Sequence, residues 1–298
     1  MKKRIGMIYA LGSSAAFGLM PIFAKWAYKY GINSITLVIL RFMFAWIIIL
    51  PMLLYKKKSL KLNKTQLKHV LIIGGLAYTF TTLTLFLSYN YISVGIATTL
   101  HFIYPIIVTL ISIVFFKEKV FKEKVIALTV STIGILFLIY NGQVSFNFVG
   151  VFYALFSGIL YSIYITGVEH SEMKNIDSFV LTFYLSVIAA FMLLAVGTFS
   201  GQIDFNLNIR CYIAAFLIAL ISTVIAITFF QKGIKIIGSS NASILSTFEP
   251  IVSFILGVII YKEAVSFKII VGCLLIFASV LLLTKGYSKH SSQMEHKK

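Results

Sequence analysis

Ten apolar stretches of roughly 17–23 residues recur along the chain, each long enough to cross about 30 Å of hydrocarbon. Read from the sequence, they run 5–27, 33–55, 70–90, 95–116, 124–140, 148–168, 178–199, 211–231, 240–261 and 267–284. Lipid offers the backbone no hydrogen-bond partners, so apolar segments of this length are confined to helices. The expectation is an all-α integral membrane protein with ten transmembrane helices. The composition agrees: 59% of the 298 residues are hydrophobic and 12% are charged, against about 25% charged in an average soluble domain. The loops between the stretches are short and leave no room for a soluble domain.

A net charge of +17 would suggest nucleic-acid binding in a soluble protein. Here the placement of the charges decides otherwise. With the N-terminus inside, 20 of the 26 basic residues fall on inner segments, including Lys2, Lys3, Arg4, the run Lys56–Lys58 and Lys117, Lys122 and Lys124. Only Lys25, Lys29, Arg210, Lys262 and Lys268 lie outside, and Arg41 sits within a span. The positive-inside rule then places both termini in the cytoplasm of a multi-pass cell-membrane protein. The charge serves topology and attraction to anionic lipid, with no nucleic-acid partner. The first apolar run is too long for a signal-peptide core and reads as a retained helix. Cys211 and Cys273 have neither disulfide nor metal spacing, so no metal or cofactor is expected.

The chain repeats itself. Leu100-His101-Phe102-Ile103-Tyr104-Pro105 and Leu245-Ser246-Thr247-Phe248-Glu249-Pro250 align at a register of 145 (250 minus 105), which also pairs Lys117-Glu118 with Lys262-Glu263. Gly6-Met7-Ile8-Tyr9-Ala10-Leu11 matches Gly150-Val151-Phe152-Tyr153-Ala154-Leu155 at a register of 144. Five crossings per copy turn the second copy upside down, giving two inverted five-helix repeats. Their bounds are 1–145 and 146–286, followed by a polar tail, 287–298, expected to be disordered.

The Gly-x-x-Tyr-Ala-Leu-x-Ser opening with Phe17-Gly18, Leu40-Arg41-Phe42, and the proline runs followed by Lys-Glu carry a resemblance. The sequence resembles the ten-helix members of the drug/metabolite transporter superfamily, the group with paired EamA-type halves. The resemblance covers nearly the full chain. It implies an inverted-repeat bundle with a central cavity lined mainly by spans 1, 3, 4, 6, 8 and 9, and export of amino acids or related metabolites. One departure is that Tyr161 and Tyr164 stand in the second half, with no aromatic–Gly pair where the first half has Phe17-Gly18.

Glu249 is the only acid deep inside a span, where an ionised carboxylate costs several kcal/mol unless it is used. Its functional reading is a contact to a substrate amine or a protonatable coupling group; the alternative is a glutamate that caps the kink. Pro250 cannot bond the carbonyl of Ser246, which is expected to be left free. Pro105 and Pro250 are the expected hinges. His101 and Tyr104 lie one turn apart on the fourth span and are candidate contacts, as is Ser246; His101 is also read as a packing residue. Phe17, Met20, Tyr161 and Tyr164 are paired by the repeat and could form two aromatic walls. An Arg41–Glu249 pair is conceivable from depth, but a packing role is the favoured reading for Arg41. Asn141 and Gln143 read as turn residues.

The function expected is secondary transport of small metabolites, amino acids or their derivatives, by alternating access around a central cavity. The sequence has no GxxxxGK[ST] phosphate loop, so ATP is not the expected energy source. A proton-coupled exporter of drugs or quaternary amines is the alternative, with aromatic rings offering cation–π contacts. A membrane-embedded enzyme is remote, since no His–Asp or HExxH arrangement occurs. Partners are a small-molecule substrate and the lipid bilayer, with a homodimer through the fifth and tenth spans conceivable.

Overall fold

The computed structural model describes residues 2–118, 120–139, 147–262 and 266–295, and every regular element among them is helical. The first span is α1 (Lys2–Phe17) and α2 (Met20–Lys29), interrupted at Gly18 and Leu19. Pro21 stands in the first turn of α2, where its missing N–H breaks no helical bond. Next comes α3 (Ser34–Tyr55), whose N-terminus is capped by Asn33, its side chain accepting the Thr36 N–H at 2.8 Å.

The third span joins α4 (Lys64–His69), a π-helical stretch Val70–Ala77, and α5 (Tyr78–Ser88). The fourth is α6 (Val94–His101) and α7 (Tyr104–Val114), followed by α8 (Lys122–Ile139). The second half begins with α9 (Phe148–His170) and α10 (Ser178–Ser200). It continues with α11 (Ile209–Leu217), a π-helical stretch Ile218–Ile225 and α12 (Ala226–Ile237). Then come α13 (Ser239–Leu245), a 3₁₀ turn Ser246–Phe248, α14 (Glu249–Tyr261) and α15 (Phe267–Glu295).

Among the described residues, nine helical spans are long and apolar enough to cross a membrane, where the sequence reading expects ten. The difference is α8, the expected fifth span. It opens with Lys122-Glu123-Lys124, so its apolar run starts at Val125 and is described only to Ile139. Asn141, Gln143 and Glu263 lie outside the described residues. The polar tail expected to be disordered begins inside α15, which continues to Glu295.

The two halves share local geometry that hydropathy does not encode. The π-helical stretches start at 70 and 218, and the fourth and ninth spans both break just before their Tyr-Pro or Glu-Pro pair. Lys117 and Lys262, 145 residues apart, both take left-handed backbone conformations, with φ of 52° and 53°. Packing follows the same exchange. Helix α5 lies on α9 as α12 lies on α1, and α6 and α7 meet α9 as α13 and α14 meet α1. The pairs α3–α10 and α8–α15 map onto themselves.

Lipid supplies no hydrophobic drive between helices, so close packing of small residues does the work. A Cβ added at Gly233 would lie 3.3 Å from Ala10, and one at Gly134 would lie 2.9 Å from the Gly272 carbonyl, which brings α12 onto α1 and α8 onto α15. Large apolar residues on the far sides of α8 and α15, such as Leu136 and Leu274, are exposed, as acyl-chain contact requires.

In the turn before α10, Asp177 caps the helix through the Phe179 N–H at 2.9 Å and receives Lys58 Nζ at 3.0 Å. Partial burial raises this carboxyl, but the Lys58 hydrogen bond and charge and the backbone N–H groups outweigh it and hold it below the ordinary value. A lowered folded pKa stabilises above the unfolded value and is lost as pH falls through the folded one. Asp177→Ala should therefore lower stability by about 1 kcal/mol, given a partly exposed ion pair. In thermal melts of purified protein the deficit should stay constant from about pH 8 to about pH 5 and shrink only below about pH 4.

Candidate functional site

A cavity opens within the bundle. Three helix interruptions converge on it. Phe17 and Met20 flank the α1–α2 break, His101 and Tyr104 flank the α6–α7 break, and Glu249 starts α14 after the 3₁₀ turn. The third span contributes Tyr78, Thr81, Thr82, Leu85 and Phe86, and Arg41, Thr98 and Tyr161 complete the wall.

The prolines shape these breaks differently from a simple kink. Each falls in the first turn of a new helix, where a residue without an N–H is tolerated. The Ser246 carbonyl is accordingly not free: the Glu249 N–H takes it in a 3₁₀ bond. Gly158 allows the fourth span to turn, since a Cβ there would lie 2.7 Å from the His101 carbonyl oxygen. In the first span, Gly18 makes a comparable close approach: a Cβ there would lie 2.7 Å from Val252 and 3.0 Å from the Glu249 carbonyl. Ser162 matches Gly18 in the second half; its hydroxyl donates to the Gly158 carbonyl at 2.8 Å and lies 3.3 Å from the Tyr104 carbonyl.

The aromatic wall is continuous. His101 lies 5.2 Å from Tyr104 and 5.3 Å from Tyr161, and Tyr104 meets Tyr161 edge-on at 4.9 Å. The hydroxyl of Ser157 lies 2.6 Å from the Ala154 carbonyl and 2.8 Å from His101 Nδ1. A donation to the carbonyl puts the ring proton on Nδ1 and makes Nε2, which has no hydrogen-bond partner among the described residues, an acceptor.

An arginine and a carboxyl group border the cavity. Arg41 is buried and its guanidinium is held on one side. Nε donates to Thr223 Oγ1 at 2.7 Å, and Nη2 reaches Tyr78 Oη and the Ser222 carbonyl, each at 3.3 Å. Nη1 has only the Met20 thioether, at 3.3 Å, a weak acceptor. Glu249 is 9% exposed. Among the described residues its carboxylate has no hydrogen-bond or ion-pair partner, and no Arg41–Glu249 salt bridge forms within 4 Å.

The sequence candidates divide between the wall and the layer behind it. Glu249, His101, Tyr104, Phe17, Met20 and Tyr161 reach the cavity. Tyr164 stands one layer back, stacked on Tyr161 at 5.8 Å and accepting Gln231 Nε2 at 2.9 Å. Ser246 is also behind the wall, bonded to the Tyr104 hydroxyl and donating to the Ser243 carbonyl at 2.7 Å. Span 8, expected on the wall, stays behind it and anchors Arg41. Sequence reasoning expected the third span on the wall without naming its residues, and gave Arg41 a packing role. Its one available signal was a guanidinium inside an apolar span, which rarely lacks a use.

Toward the end where α5 stops and α6 begins, the wall is built of Leu85, Phe86 and Thr98. Toward the opposite end the bundle is closed. Thr109 Oγ1 and Ser240 Oγ meet at 3.0 Å, and Ser112 and Ser239 hydroxyls at 3.5 Å. The Glu169 carboxylate accepts the Ser239 N–H at 2.6 Å, capping α13 from a neighbouring span.

Comparison with known proteins adds to this geometry. The EamA-like transporter family matches the chain twice, over residues 4–140 and 148–285. An uncharacterized transporter of Archaeoglobus fulgidus is 23% identical over 261 residues, which are 86% of this chain and 91% of that one. A solved crystal structure shares the fold at a TM-score of 0.81 and 16% identity, covering 95% of this chain and 98% of the other. With both halves matched, the chain belongs to the EamA-like transporter family of membrane transporters.

Proposed function

We propose that the protein is a secondary transporter of small metabolites, amino acids or their derivatives, working by alternating access between two inverted five-helix repeats. The observation that carries this is a cavity at mid-span whose wall combines a partnerless carboxylate, a half-engaged guanidinium and an aromatic face. Support for the repeat comes from the twice-matched family and from the neighbour pattern that survives exchange of the halves. In this reading α8 is the fifth crossing. With the N-terminus inside, the end sealed by Thr109–Ser240 and Glu169–Ser239 is the cytoplasmic one, and the cavity belongs to an outward-facing state.

The test is counterflow and efflux of labelled amino acids and amines in proteoliposomes of purified protein. Saturable movement of amino acids, competed by unlabelled ones, is the expected outcome; saturable movement of organic cations alone would replace the substrate class. That second reading, an amine exporter, is favoured by one feature, the rings of His101, Tyr104 and Tyr161 around the cavity that Glu249 enters.

A further inference from the structure

Taking the cavity as the transport site, we infer that Arg41 and Glu249 divide a zwitterion between them: the substrate carboxylate sits on Arg41 Nη1 and its ammonium between Glu249 and His101 Nε2. The donor inventory leads to this. Arg41 has five N–H groups, of which Nε and both on Nη2 have oxygen acceptors, while Nη1 has a thioether alone. The guanidinium is thus anchored from behind by Thr223 and Ser222 of the eighth span, and two N–H groups remain for a ligand. On the other side Glu249 contributes an acceptor without a donor, and His101 Nε2 a second one.

Charge bookkeeping selects the ligand class. Arginine stays protonated in proteins, so an ionised Glu249 brings the wall to a net charge of zero. A molecule carrying both charges satisfies both ends, whereas a lone amine leaves Arg41 unmatched and a lone carboxylate leaves Glu249 unmatched, in a region of low dielectric. The two groups are too far apart to pair with each other, so a two-ended ligand can bridge them. The buried Thr81 hydroxyl oxygen, on the same wall, also has no partner. Phe17, Leu85 and Phe86 give the wall an apolar part that suits a hydrocarbon side chain.

Calorimetric titration of the full-length protein in detergent tests this with leucine, 3-methylbutylamine and 4-methylpentanoate. These have the same hydrocarbon chain with both charges, the amine alone or the acid alone. Matching series built on phenylalanine and serine cover the side chain. The wild type should bind the zwitterion about tenfold or more tighter than either half. Arg41→Gln should erase the preference over the amine and keep the preference over the acid, and Glu249→Gln should do the reverse. Arg41→Lys, which preserves the buried charge, should retain part of the zwitterion preference and guards against an Arg41→Gln protein that fails to fold. Equal affinity for zwitterion and half-ligands in the wild type would overturn the assignment. So would variants that weaken all three ligands by one factor, or an absence of binding by every zwitterion. If an unrelated solute still undergoes counterflow in that last case, the carrier reading stands and only the clamp is lost.

Discussion

Glu249→Gln should separate function from stability in opposite directions. Replacing the carboxylate removes a charge-assisted contact to substrate or a site for a coupling proton, a loss of about 1.5–3 kcal/mol and so roughly tenfold to a hundredfold in transport efficiency. The fold should not suffer, because the carboxylate has no partner among the described residues to leave unsatisfied. A neutral amide is cheaper than an ion in a buried wall, so the melting temperature should hold or rise. Initial rates in proteoliposomes beside thermal melts in detergent read both quantities. Unchanged transport would remove Glu249 from the mechanism, and a large fall in melting temperature would make it structural.

The second large effect is expected at Gly158. Its missing side chain lets α9 pass against the break in the fourth span, where a Cβ would press on the His101 carbonyl at 2.7 Å and on Ile103 at 2.7 Å. A backbone oxygen cannot swing aside as a flexible side chain can. Gly158→Ala should therefore cost about 1–3 kcal/mol, by overpacking. It should lower the melting temperature by several degrees, at roughly 2–4 °C per kcal/mol. It should also displace His101 and weaken substrate binding. Gly12→Ala is the contrast: there the nearest atom is Phe229 Cδ2 at 3.5 Å, an ordinary contact. Alanine favours helix over glycine by about 1 kcal/mol, so stability should be unchanged or higher. Equal behaviour of the two variants would show that α9 and the fourth span are not held at this contact.

Much of the architecture is legible because hydropathy reports directly on lipid and because a proline beside a polar residue stands out in an apolar span. That is how Glu249, His101 and Tyr104 are noticed. What hydropathy does not give is direction. Tyr161 and Tyr164 are equivalent by spacing, yet Gln231, 67 residues on, draws Tyr164 off the wall. Arg41 is fixed by Thr223 and Ser222, about 180 residues away, so no local pattern reveals that its Nη1 faces no oxygen acceptor. The resemblance put the third span on the cavity, but no α5 residue was singled out; the π-helical stretch at Val70–Ala77 changes which side of α5 faces inward from what a 3.6-residue period carried through it would give. The Ser246 carbonyl was expected to be free because a proline four residues on cannot bond it; the 3₁₀ turn supplies the bond from residue 249 instead.

The same π-helical stretch determines where this span can tolerate a change in length. A wide turn contains more chain than an α-helix needs for the same circuit. Deleting one residue between Val70 and Ala77 can be absorbed by tightening that stretch toward α geometry, with Tyr78, Thr81 and Thr82 still presented to the cavity. The same deletion between Tyr78 and Ser88 has no slack to draw on and turns whatever lies beyond it by about 100°. The span thus carries a spare residue on one side of its cavity-lining face and none within it, and the stretch Ile218–Ile225 gives the eighth span the same slack just before α12, which packs along α1.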